Sequence, residues 1–158
     1  MAGLGSSGGI CSFQVRCEKD HFRDDEVIKV SAKLDNSRSR QPVSKVEVRL
    51  LRFIRLHTHQ LTASNSGYDL VLTQELTKSK HGGVAARVRD NCFHREFLID
   101  LGQVFSEDEE ILAPSAFGKT FMIHYGVEVS LKHPGIFSQA TQLEVDVNID
   151  SSKIRLQT

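Results

Sequence analysis

Residues 28–53 read IKVSAKLDNSRSRQPVSKVEVRLLRF, and the alternation within this stretch decides the fold class. Ile28, Val30, Ala32 and Leu34 recur at every second position, the spacing that puts them on one face of a β-strand. Asp35-Asn36-Ser37-Arg38-Ser39-Arg40-Gln41-Pro42 then predicts a turn: short polar side chains bond the nearby backbone, and proline fixes its own φ. Val43 opens a long second strand reaching about Leu61, with Val46, Val48, Leu50, Ile54 and Leu56 on one face. Arg52 interrupts that face while Leu51 and Phe53 sit opposite. Either both faces are partly covered there or a bulge changes the phase.

The same period extends in both directions. Upstream, Cys11, Phe13, Val15 and Cys17 alternate with Ser12, Gln14 and Arg16, and Glu18 to Asp25 reads as a polar turn. Downstream, Ala63 to Gly67 is a turn, and Tyr68 to Leu76 is a strand with Leu70, Leu72, Gln74 and Leu76 on its inward face. Lys78 to Gly83 reads as a polar loop ending in a glycine pair. Strand signals return around Cys92 to Leu101, and again from Ser115 to Leu131, where Phe117, Phe121, Ile123, Tyr125, Val127, Val129 and Leu131 share one parity. After a turn at His133-Pro134-Gly135, Leu143, Val145, Val147 and Ile149 face inward in the last strand. About seven or eight strands without a helix predict an antiparallel sandwich or barrel.

Composition bounds the function. The 158 residues carry zero formal net charge, 39% apolar and 25% charged side chains, which fits one globular domain. Neutrality gives no overall attraction to a nucleic-acid backbone. No apolar run nears the roughly 20 residues of a membrane span. Residues 1–9 (MAGLGSSGG) read as a flexible linker or remnant, with the domain occupying 10–158. Cys11 and Cys17 lie on one predicted strand with α-carbons roughly 20 Å apart, beyond the roughly 7 Å a disulfide tolerates. Free thiols in a reducing compartment are the expectation.

Several residues are candidates for binding. Arg49, Arg55, His57 and His59 share a parity on the long strand, so they form a basic stripe suited to a phosphate or an acidic peptide. The competing reading is a solvated sheet face with cross-strand ion pairs. Arg38 and Arg40, on the predicted turn, would approach a charged surface. His57 and His59 lack an assigned third metal ligand. Cys92 and His94 are two apart but without an orienting third group, and no nucleophile elbow, P-loop or dinucleotide glycine motif occurs. The acidic run Glu107 to Glu110 lacks the spacing of a calcium loop. No catalytic residue, metal or cofactor is therefore expected. Leu98-Ile99-Asp100-Leu101 has the look of a clathrin-binding segment, but Gly102 stands where an acid belongs.

The stretch from Ile28 to Phe53 resembles the opening of the arrestin C-terminal domain. An alternating strand is followed by Asp35-Asn36-Ser37, then Val43, Lys45-Val46-Glu47-Val48 and Leu50. Cys17-Glu18-Lys19-Asp20 and Asp25-Glu26 resemble the family's lead-in, with Asp25 in place of the usual glycine. Leu112 to Leu131 is similar to the family's later segment, through Pro114, Ile123, Tyr125, Val127 and Val129. The likeness spans about residues 10–150. It implies an immunoglobulin-like sandwich of two sheets. It also implies a non-enzymatic adaptor or scaffold in membrane-protein trafficking or signalling. Such a protein is expected in the cytoplasm, recruited to membranes or endosomes, and binds cytoplasmic parts of membrane proteins or trafficking components. An N-terminal arrestin-like domain would complete it, and an edge strand offers a route to self-association. The three prolines, Pro42, Pro114 and Pro134, leave no Pro-Pro-x-Tyr motif for a ubiquitin ligase. Two other readings stay open: a subunit of a retromer-type complex, and a sandwich with a ligand or enzymatic pocket lined by His94, His124 and Cys92.

Overall fold

The computed structural model describes residues 9–58, 68–86, 92–107, 114–118, 120–135 and 140–151. Among the described residues, nine strands and one helix follow one another: β1 (Gly9–Cys17), β2 (His21–Arg23), β3 (Val27–Ser39), β4 (Val43–Thr58), β5 (Tyr68–Val84), β6 (Cys92–Asp100), α1 (Leu101–Glu107), β7 (Ala116–Phe117), β8 (Phe121–Lys132) and β9 (Thr141–Asp150). They form an all-β sandwich, immunoglobulin-like in its two packed layers. A three-stranded sheet has the order β1-β3-β6, and a six-stranded sheet runs β2-β9-β8-β4-β5 with β7 added to β8.

The alternation explains the core. Ile28, Val30, Ala32 and Leu34 from β3, with Phe13, Phe97 and Ile99 beside them, meet Val46, Val48, Leu50, Tyr125, Val127, Val129, Leu131, Val147 and Ile149 from the larger sheet. Opposite residues in an antiparallel pair share a face, so Leu50 opposite Val127 and Val48 opposite Val129 extend one apolar layer across strands. Burying each such side chain contributes about 1.5–3 kcal/mol.

Several expectations are corrected. The Asp35-Asn36-Ser37 turn is not a chain reversal. The strand runs through it to Ser39, and the β1–β3 register shifts between Ile10 and Ser12, which leaves an extra residue in β3. The local chemistry is still that of a turn, since the Ser37 N–H donates to Asp35 Oδ1 at 2.9 Å. That bond shapes a bulge instead. Asn36 is fully buried, and its amide donates to the carbonyl oxygens of Gln41 at 3.0 Å and Ala85 at 3.1 Å. The reversal itself falls at residues 40–42, so Arg38 sits in a strand and not on a turn.

The Lys78–Gly83 loop is likewise absent, because β5 continues as a strand to Val84. A helix also appears where none was predicted. Asp100 Oδ1 accepts the Gln103 N–H at 3.1 Å and caps α1, and Phe105 of α1 meets the Tyr125 ring edge-on at 6.4 Å. Finally, Glu18 to Asp25 holds the short strand β2. It pairs parallel with β9, an exception to the antiparallel expectation, and it buries Phe22 opposite Ile149.

Along β4 the inner row is Val46, Val48, Leu50, Arg52, Ile54 and Leu56. Its pairing with β8 is unbroken, so β4 itself keeps its phase. The irregularity lies across the strand: Leu50 faces Thr77 and Leu51 faces Glu75, so Leu76 is the extra residue. Arg52 is buried within the inner row and donates to the Gln74 side chain on β5. Leu70 and Leu72 have inner parity as expected, yet each is 51% exposed and lies outside the buried core. Phe117 and Phe121 are exposed as well.

Candidate functional site

The outer face of the larger sheet carries the basic stripe foreseen along β4, and the structure divides it. Arg49 sits directly opposite Glu128 of β8. Its guanidinium lies 3.1 Å from Glu47 Oε2, 3.5 Å from Glu128 Oε1 and 3.6 Å from Glu75 Oε2. Lys78 and Lys132 approach Glu47 at 3.4 and 3.8 Å, and the Ser130 hydroxyl donates to Glu128 Oε1 at 3.1 Å. Burial pushes the Glu47 carboxyl up, but hydrogen bonds from Arg49 and Lys78 and the charges of Lys78 and Lys132 outweigh it and hold it below its ordinary range. The Glu47 hydrogen bond, with help from Glu128 and Glu75, raises Arg49 further. Arg49 is thus committed to a cross-strand ion network and not to an external anion.

Farther along the same face the environment differs. The Phe53 and His124 rings stack 4.8 Å apart, and Arg55 lies opposite Met122, diagonal to His124. His57 stands across from the Asp69 position of β5, and its backbone N–H donates to the Thr120 carbonyl at 2.8 Å. His59 lies outside the described residues. Arg38 and Arg40 are exposed near the Val43 end of β4. At about 3.3 Å per residue, Arg55 is roughly 40 Å along the strand from that end, so the two basic groups do not converge.

The pocket that would mark an enzyme is also dispersed. His94 lies on the outer face of the smaller sheet, opposite Lys33 and 2.9 Å from the Ser31 hydroxyl, whereas His124 lies on the outer face of the larger one. Cys92 takes a place in β6 opposite Asp35. Cys11 and Cys17 are free and half-buried; burial raises both thiols, Cys17 to about 11, which leaves little thiolate. Among the described residues no group of three His, Cys, Asp or Glu is placed to hold a metal ion, and no helix is long and apolar enough to cross a membrane. In the Leu98–Leu101 segment, Leu98 is exposed but Leu101 is buried as the first residue of α1, so it is not an extended peptide. A cleft of about 240 Å³ opens between β5 and β6, lined by Leu76, Thr77, Ser79, Ile99, Gln103 and Val104.

Sequence reasoning missed the acidic side of the outer face. Glu144 lies over Gly126, where a β-carbon would come within 2.9 Å of its Oε1. Burial, then the charges of Asp146 and Glu128, raise the Glu144 carboxyl. A carboxyl raised in the fold is costly when charged, so its penalty is present above its folded pKa and disappears below its unfolded value. Glu144→Gln is therefore expected to raise the melting temperature at neutral pH. The gain should shrink as the pH falls through the carboxylate range. A variant whose gain is unchanged in acid would show that charge is not the cause.

These features define a β-sandwich whose larger sheet carries a cross-strand ion network around Arg49 on its outer face, with no convergence of the histidines among the described residues. The chain is similar in fold to the solved structure of Spo0M, a sporulation control protein from Bacillus subtilis, with a TM-score of 0.56 and 12% identity over 90% of this chain. It spans 50% of that structure's length. No protein-family model matches the chain, and no curated protein does.

Proposed function

We propose that this chain is a non-enzymatic protein-binding domain of arrestin-like type. It would act as an adaptor or scaffold in membrane-protein trafficking or signalling, in the cytoplasm and at membranes it is recruited to. The observation that carries this reading is the apolar surface at the far end of the larger sheet. Leu70, Leu72 and Phe121 are exposed there on the inner parity, beside half-buried Ile54 and Leu56. Contiguous exposed apolar side chains favour burial against another protein. The sandwich supports the reading because it holds those side chains on a paired, rigid sheet. The order of the arrestin-like segments along the chain supports it as well.

The test is affinity capture from cells of the full-length protein, in wild-type form, with residues 10–151 deleted, and as Phe121→Ser. Membrane-protein tails or trafficking components captured by the wild type and lost in both variants are the expected result. Partners present at one fixed stoichiometry would assign the chain to a permanent complex instead. Capture that neither variant changes would overturn the reading.

A further inference from the structure

The larger sheet ends in β5, whose outward backbone groups pair with no strand among those described. The two halves of this edge differ. From Leu76 onward it carries the devices that prevent edge-to-edge pairing: an extra residue at Leu76, then Lys78 and Lys80, then Gly82 and Gly83. The first half has none of them. Leu70-Val71-Leu72-Thr73-Gln74 is uncharged, without proline or glycine, and regular in register against Arg52 to Leu56. Val71 is 46% exposed on the outer face, and Leu70 and Leu72 are exposed on the other. The other edges differ. β2 is three residues long, β6 presents exposed His94, Arg95 and Glu96, and β1 is broken by the register shift between Ile10 and Ser12 and carries Arg16.

We propose that the Tyr68–Gln74 half of β5 pairs antiparallel with the same segment of a second copy of this chain, about a two-fold axis at Val71. This goes beyond the adaptor reading and stands without it. The register is chosen by the residues. With Val71 opposite Val71, each Leu70 faces a Leu72, so like meets like among the apolar side chains. Moving the axis to Leu72 would set each Leu70 against a Gln74 and each Val71 against a Thr73, which loses the apolar pairs. The leucines of the two copies would also join their Ile54, Leu56 and Phe121 neighbours into one apolar band across the axis. The bulge at Leu76 ends the pairing and keeps the assembly closed at two copies.

The test uses the whole chain. Residues directly opposite in an antiparallel pair have α-carbons about 4.5–5.5 Å apart, within disulfide reach. Val71→Cys is expected to form a disulfide-linked dimer under mild oxidation, whereas Lys80→Cys, exposed on the same face of the same strand, stays monomeric. Wild-type chain under the same oxidant is the control for the native cysteines. Sedimentation velocity over a concentration series should show a wild-type monomer–dimer equilibrium. Val71→Lys should abolish it while the circular dichroism spectrum and melting remain those of a folded β-protein. Wild-type chain that stays monomeric at high concentration would overturn the proposal. So would equal cross-linking at positions 71 and 80, or a folded Val71→Lys variant that still dimerises.

Discussion

Gly83→Ala is expected to cost the sandwich about 3 kcal/mol, read as a drop in the urea midpoint, while Gly82→Ala next to it stays within about 0.5 kcal/mol of wild type. The two glycines adjoin in β5 and have opposite surroundings. A β-carbon on Gly82 would meet nothing within 4 Å. One on Gly83 would sit on the Val43 carbonyl oxygen and within 2.6 Å of the carbonyl carbons of Val43 and Ser44. Those are backbone atoms of the adjoining strand, so no side-chain rotation relieves the clash. The Val43–Val84 end of the β4–β5 ladder must open or shift. Alanine alone would stabilise slightly by restricting the unfolded chain, which makes a large loss at only one position diagnostic. Equal stability of the two variants would mean that β4 and β5 do not approach this closely.

Arg49→Met is expected to lower stability by about 2 kcal/mol at neutral pH, and Arg55→Met by much less. Removing Arg49 strands carboxylates that are only 9% exposed at both Glu47 and Glu128. Breaking a fully buried pair costs about 3–5 kcal/mol. The smaller figure applies because Arg49 remains partly in water and because Lys78 and Lys132 still attend Glu47. Glu47 is held below its unfolded value in the fold, so its contribution is present above that unfolded value and is lost as pH falls through the folded one. The difference between wild type and Arg49→Met should therefore narrow in acid. A urea series from neutral pH downward reads this, and a gap that widens would exclude the ion network as its source.

Much of the core was legible from period alone. Ile28 to Leu34, Tyr125 to Leu131 and Val147 to Ile149 fill the inner rows their spacing assigns, because a pleated strand admits one parity to the interior. Legibility failed where the outcome depends on a distant segment. Asp35-Asn36-Ser37 carries turn chemistry, but Asn36 is drawn inward by carbonyls of Gln41 and Ala85, one of them far along the chain. Leu70 and Leu72 have the right parity and remain exposed, since parity says which face a residue takes and not whether anything covers it. Leu101, Val104 and Phe105 did carry a helical spacing behind a capping Asp100, a signal masked by the strand that runs into it. The basic stripe was visible. Its division was not, because Glu75 and Glu128 reach Arg49 from strands whose order no local pattern reveals.

The parallel pairing of β2 with β9 bears on how the molecule assembles. Phe22 pairs opposite Ile149, and the Asp24 carboxylate meets the Ser151 hydroxyl, 127 positions away, at 3.4 Å. On a ribosome making about 5–20 residues per second, β2 waits about 6–25 seconds for its partner strand to be synthesised. Connectivity of this kind folds slowly, in about milliseconds to seconds once the chain is complete. The interval leaves an unfinished sheet for chaperones to shield.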